Sequence, residues 1–157
     1  MLNNQISKNF TLDELTYSDT AKKLNIKNIP SEEVYNKMCY LVNNLLQPLR
    51  EQLNKPIIIN SCFRGPELNK AVNGAITSQH CKGEAADIEI KEMSNYDLAC
   101  YIKDHFEFDQ LILEFANNLQ NDLNSGWVHV SLKDNNNRRE CLTIKSSKTG
   151  YQKGLIK

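Results

Sequence analysis

Residues 78–87 read Ser-Gln-His-Cys-Lys-Gly-Glu-Ala-Ala-Asp, which sets His80 and Asp87 seven positions apart with a glycine and two alanines between them. Imidazole nitrogen and carboxylate oxygen are both ordinary zinc ligands, and a catalytic zinc takes three protein ligands plus a water. A helix cannot aim these two side chains at one point, because seven residues is two turns, about 10 Å of rise. A loop that reverses at Gly83 and runs into a strand can. Gly83 supplies the permissive backbone, and the small Ala85 and Ala86 leave room beside the ligands. The rest of the chain must then offer a third ligand, a base and a cation.

The chain has three histidines. His105 falls in the last turn of a helix expected at 95–106, where the dipole favours a cation, and is not read as a ligand. His129 lies in Trp127-Val128-His129-Val130-Ser131-Leu132, whose alternation puts Trp127, His129 and Ser131 on one face of a strand and the aliphatic residues on the other. Ala86-Asp87-Ile88-Glu89-Ile90 alternates in the same way, with Asp87 and Glu89 sharing a face. A lone strand histidine is more often a satisfied structural one, but the His-x6-Asp spacing elsewhere moves His129 toward a ligand role. Both strands would have to lie side by side, with His80 on a loop at their edge.

The elements that must position these residues are readable in outline. Thr11 with Glu14 has the capping-box pattern of a short helix. Ser31, followed by Glu32 and Glu33, caps a longer helix whose apolar stripe runs through Val34, Met38, Leu41, Val42, Leu45, Leu46 and Leu49. Pro48 within that stripe should kink it or begin a new segment. Residues 57–60 and 108–115 read as apolar strands, residues 66–72 as a short helix and 140–144 as a last strand. Arg64 follows the first of these strands, just before a Gly-Pro turn. By pattern alone it is a solvated arginine. Residues from Lys145 onward are polar and are expected to form a loosely held tail.

At 157 residues with 19 basic and 19 acidic side chains, the chain has the size of one domain and no net charge. No long basic run recommends nucleic acid or an anionic membrane as a partner. The first residues lack the order of a signal peptide and no stretch reaches the length of a membrane span, so synthesis in the cytoplasm is expected. A monomer is the expected state. Five dispersed cysteines without a CxxC pair read as free thiols, mostly buried. Neighbours in an extended segment point to opposite sides, which would make Cys81 the wall and His80 the site.

Ser78-x-His80-x-x-Gly83-x-Ala85-x-Asp87 followed by Trp127-x-His129 resembles the zinc-binding pattern of the peptidase M15 family, the D-alanyl-D-alanine carboxypeptidases and dipeptidases together with phage endolysins. The resemblance extends to Phe10-Thr11-Leu12-Asp13-Glu14-Leu15, to Gln47-Pro48-Leu49-Arg50, and to residues 61–69 against a family-like S-G-Y-R-S-x-x-L-N. It covers residues 9–132 and is greatest to short single-domain members of phages and prophages. It implies a zinc held by His80, Asp87 and His129, with Arg64 binding substrate and stabilising charge on the scissile carbonyl, and Ser78 close to the substrate. The implied substrate is the peptide stem of peptidoglycan, reached if the protein is delivered to the bacterial cell wall.

One departure from the family pattern matters. The general base of familiar members is an acidic residue three positions before the second histidine, and that position here is Gly126. Glu114 and Asp122 are the candidates to replace it. Glu114 ends an apolar strand, and the phage-like members also carry a glutamate ending a D-Q-L-I-x-E strand, so Glu114 is taken as the base. Its alternative is a strand-end carboxylate that meets solvent or a lysine. A second class of function is a zinc-containing binding or structural module of a phage particle, favoured by the glycine at 126. A glycan-cleaving pair such as Glu84 with Asp87 is a third and weaker reading. The fold expected is α+β: a small, mainly antiparallel sheet covered on one face by helices, of the hedgehog and DD-peptidase type. Residues 1–145 would form the zinc peptidase-like domain and 146–157 the polar tail.

Overall fold

The computed structural model describes residues 1–116 and 125–157. Two short helices open the chain, α1 (Leu12–Thr16) and α2 (Asp19–Leu24), each capped by a hydroxyl: Thr11 accepts from the Glu14 N–H and Ser18 from the Ala21 N–H. Ser31 likewise caps α3 (Glu32–Leu41) by accepting from the Val34 N–H. The chain then widens into one π-helical stretch, Val42–Leu46, and continues as α4 (Gln47–Leu53) with Pro48 in its first turn. Pro48 therefore begins a new segment, and the π stretch directly before it accommodates the donor that proline lacks.

Among the described residues six strands follow, interleaved with two helices and one 3-10 turn. They are β1 (Ile58–Ser61), β2 (Ala85–Glu89), β3 (Gln110–Glu114), β4 (Trp127–Ser131), β5 (Glu140–Ile144) and β6 (Gln152–Lys153). Helix α5 (Pro66–Ala71) and the turn Gln79–Lys82 lie between β1 and β2, and α6 (Asn95–His105) between β2 and β3. The sheet order is β1-β2-β4-β3-β5-β6, antiparallel throughout except for the parallel pair β3–β5. The fold is thus α+β with a mostly antiparallel sheet.

Period-two alternation divides the sheet into two different faces. Ala86, Ile88, Leu111, Leu113, Val128 and Val130 are buried on one of them, in a single apolar cluster with Met38, Leu41, Leu45, Leu46, Leu49, Leu98 and Ile102 of the helices. Each of these valine, leucine, isoleucine and methionine side chains, fully withdrawn from water, contributes about 1.5–3 kcal/mol. This packing leaves the residues of opposite parity, among them Asp87, His129 and Glu114, on the other face.

The expected loose tail is corrected by the structure. Gln152 and Lys153 pair with Thr143 and Leu142, the Thr143 hydroxyl donates to the Gly154 carbonyl at 2.8 Å and accepts from the Ile156 N–H at 2.9 Å, and Leu155 packs against the core. Polar composition misled here because an edge strand two residues long needs backbone partners and only one apolar anchor. Among the described residues no helix is long and apolar enough to cross a membrane.

Candidate active site

Strands β2 and β4 pair so that Asp87 lies directly opposite His129. Their alternation puts both side chains on the face away from the helices, and His129 Nδ1 sits 2.9 Å from Asp87 Oδ1. His80 arrives from the 3-10 turn before β2. Gly83 ends that turn in the left-handed conformation (φ 73°), and a Cβ there would meet the Val34 carbonyl oxygen of α3 at 2.6 Å. The sharp reversal and the close passage over α3 both require glycine. They bring His80 Nε2 to 3.3 Å from the same Asp87 oxygen. One ligand atom from each of the three residues lies within 4.8 Å of the other two.

The donor set fits a cation. His80 Nδ1 is 2.6 Å from the Cys62 carbonyl oxygen, which only accepts, so Nδ1 carries the proton. In the neutral ring Nε2 then presents a lone pair to the Asp87 carboxylate, and two acceptors facing each other at 3.3 Å call for positive charge between them. Ligand atoms of a tetrahedral zinc stand about 3.4 Å apart, close to the separations found here. Burial pushes the Asp87 carboxyl up, but the adjacent His80 and His129 imidazoles outweigh it and hold the group well below the usual carboxylate range. Asp87 is therefore an anion throughout the neutral range.

Arg64 stands on the β1 side of this centre. Its N–H donates to the His80 carbonyl at 3.2 Å and its guanidinium to Ser78 Oγ at 3.4 Å. Its Nε is buried and finds no partner among the described residues. The loop is clamped by Asn28, whose amide donates to the carbonyls of Thr16 (2.8 Å) and Phe63 (3.0 Å) and accepts from the Gly65 N–H (2.8 Å). Ser78 Oγ also accepts from the His80 N–H at 3.3 Å, so it caps the turn that carries the ligand.

Glu114 ends β3, opposite Trp127 of β4 and on the same face as His129 and Asp87. Burial, reinforced by the negative Asp87, pushes its carboxyl up to about 7 against the opposing pull of His129, Trp127 and Arg64. The Trp127 indole N–H leans toward this carboxyl without completing a hydrogen bond. Directly after Glu114, Phe115 adopts a positive φ of 54° and its ring packs on Trp127 at 5.4 Å between centroids. Gly126 has φ 68°, and a side chain there would run into the Glu114 carbonyl and the Phe115 backbone. The glycine at the family's acid position is thus tied to the path of the strand that carries Glu114.

The residues expected to form the site are accordingly brought to one region of the sheet. Asp122, the weaker candidate for the base, lies outside the described residues. Glu84 bonds Gln79 and pairs with Lys37, while Asp87 belongs to the two histidines, which leaves the Glu84–Asp87 glycan-cleaving reading without its pair. Cys81 sits on a 3-10 turn, not an extended segment, so the alternation argument for its direction does not hold. Burial pushes its thiol up, Arg64 opposing, and Cys62 reaches about 12, which leaves neither as a ready thiolate. Sequence reasoning missed the Cys62 carbonyl and the Asn28 clamp. Main-chain acceptors and amide bridges leave no mark in a residue pattern.

A family model described as Peptidase M15 matches residues 8–131. The chain belongs to the peptidase M15 family, and the sheet with its His-Asp-His group is that of a metallopeptidase domain. No match was found among curated proteins.

Proposed function

We propose that the protein is a zinc peptidase of the short phage or prophage type that hydrolyses peptide bonds in peptidoglycan stem peptides at the bacterial cell wall, as a carboxypeptidase or endopeptidase. The observation that carries this reading is the meeting of the buried His80, Asp87 and His129 at one point, with His80 held in the tautomer that leaves the Nε2 lone pair free. These three residues would hold the metal, which when bound supplies a Lewis acid for the scissile carbonyl and acidifies a water. Glu114 takes the proton from the attacking water and returns it to the leaving amine. Its carboxyl, raised to about 7, is suited to both transfers. Arg64, framed by Asn28 and Ser78, offers its guanidinium to the developing oxyanion or to a substrate carboxylate. Cys81 and Ser78 are not nucleophiles in this scheme, and no covalent intermediate forms.

The test is incubation of purified peptidoglycan with zinc-loaded protein, with and without chelator. New amino groups that cease to appear on chelation support the peptidase. Gly126 in place of the familiar acid favours the second reading, a zinc-containing binding module of a phage particle. Stoichiometric zinc with peptidoglycan retention and no amino-group release supports that module instead.

A further inference from the structure

Tyr151 stands one residue before β6. The β5–β6 pairs are Leu142–Lys153 and Thr143–Gln152, and the same register carried one residue further sets Tyr151, just outside the strand, level with Ile144. Ile144 faces Glu114 across β3–β5, and Glu114 faces Trp127 across β3–β4. On that register Tyr151 stands at the end of the cross-strand row Trp127–Glu114–Ile144 that holds the candidate base. The segment that follows it is held by the Thr143 bonds to Gly154 and Ile156, while Tyr151 itself is 61% exposed, so core packing is not its role. Among the described residues no hydrogen bond engages its hydroxyl. Partial burial, then the negative charges of Glu114 and Asp87, raise that hydroxyl above its ordinary 10.0. It is a donor at neutral pH, within electrostatic reach of both carboxylates.

The sheet order puts Arg64, just past β1, on one flank of the centre and Tyr151, beside β6, on the other. A peptide laid across the strands from Arg64 passes over His129 and Glu114 and arrives at Tyr151. From β3 to β6 is two strand spacings, about 10 Å, part of which the tyrosine side chain spans. At about 3.3 Å per extended residue, the contact falls about two residues from the bond beside Glu114. We infer that Tyr151 is a substrate-contacting residue whose phenol donates a hydrogen bond to the main chain of the bound oligopeptide on the β6 side. This deepens the peptidase reading and rests on it. It describes a site that takes a chain of several residues.

The experiment compares zinc-loaded wild type, Tyr151→Phe and Tyr151→Ala on a synthetic stem pentapeptide, with zinc content and thermal midpoint measured for each. Loss of one hydrogen bond should raise KM for Tyr151→Phe by about 2- to 10-fold with kcat nearly unchanged, and Tyr151→Ala should raise it further. The dissociation constant of the pentapeptide for a Glu114→Gln protein carrying Tyr151→Phe should rise by the same factor over Glu114→Gln alone. Cleavage by wild type with both Tyr151 variants unchanged in KM overturns the inference and leaves the peptidase standing. A zinc-loaded wild type that neither binds nor cleaves the peptide overturns the peptidase reading, and the inference with it.

Discussion

Gly126 and Glu114 share a contact that excludes any side chain at 126: a Cβ there would overlap the Glu114 carbonyl oxygen and the Phe115 backbone. The position three before His129 cannot carry an acid while β3 and β4 keep this path. The carboxylate on the site face comes from the neighbouring strand, opposite Trp127. Gly126→Ala should therefore destabilise the protein by at least about 2 kcal/mol, from the clash and the positive φ together. Urea unfolding of the variant checks this, and a midpoint equal to wild type would show that the two strands move apart at little cost.

Glu114→Gln removes the proposed base and keeps the size of the side chain. Zinc stoichiometry should stay at wild-type level while turnover falls by at least about 100-fold. Glu114 must be ionised to accept a proton, so the wild-type rate should rise with pH through an acid limb. A cation at His80, Asp87 and His129 draws that limb below the value of about 7 held by the carboxyl on its own. Full activity of Glu114→Gln would move the base elsewhere.

The same carboxyl affects stability once the metal is stripped. Folding raises it from the ordinary 4.5 to about 7. The folded state holds this proton more tightly, so the favourable contribution is complete below about 4.5 and is lost as pH rises to about 7. Above that window the buried anion is a cost, which glutamine lacks. Chelated Glu114→Gln should match chelated wild type near pH 4 and exceed it by about 1–3 kcal/mol at pH 8. Thermal unfolding of both proteins across this range reads the difference directly.

Asn28 makes three hydrogen bonds, two of which, to the Phe63 carbonyl and from the Gly65 N–H, bracket Arg64, and it touches none of the three candidate ligands. Asn28→Ala leaves the carbonyl of Phe63 and the N–H of Gly65 without these partners and frees the arginine to wander. The expected result is a loss of kcat/KM of about 10- to 100-fold with zinc affinity unchanged, since misplacement of a positioning group is costly even at a distance from the reaction. Zinc titration beside steady-state kinetics separates this from general unfolding.

Part of the geometry of the candidate site is legible in the sequence. Alternation in residues 86–90 and 127–132 placed Asp87 and His129 on polar faces, because side chains on a strand alternate sides. Gly83 marked the reversal that lets His80 reach Asp87, and the hydroxyls of Thr11 and Ser31 announced their helices, since a capping bond is made within four residues. These are local constraints, and a local pattern is enough to read them.

The pairing of distant segments was decided only by the tertiary structure. A strand's alternation says which residues share a face but not which strand lies beside it or in what register. The Asp87–His129 and Glu114–Trp127 pairings, 42 residues and 13 residues apart in the chain, appear only when the sheet is assembled. The collision that keeps Gly126 bare and the pairing of the short edge strand after Tyr151 have the same origin. Each depends on backbone atoms remote in sequence coming within van der Waals or hydrogen-bond distance, and residue types alone do not encode that distance.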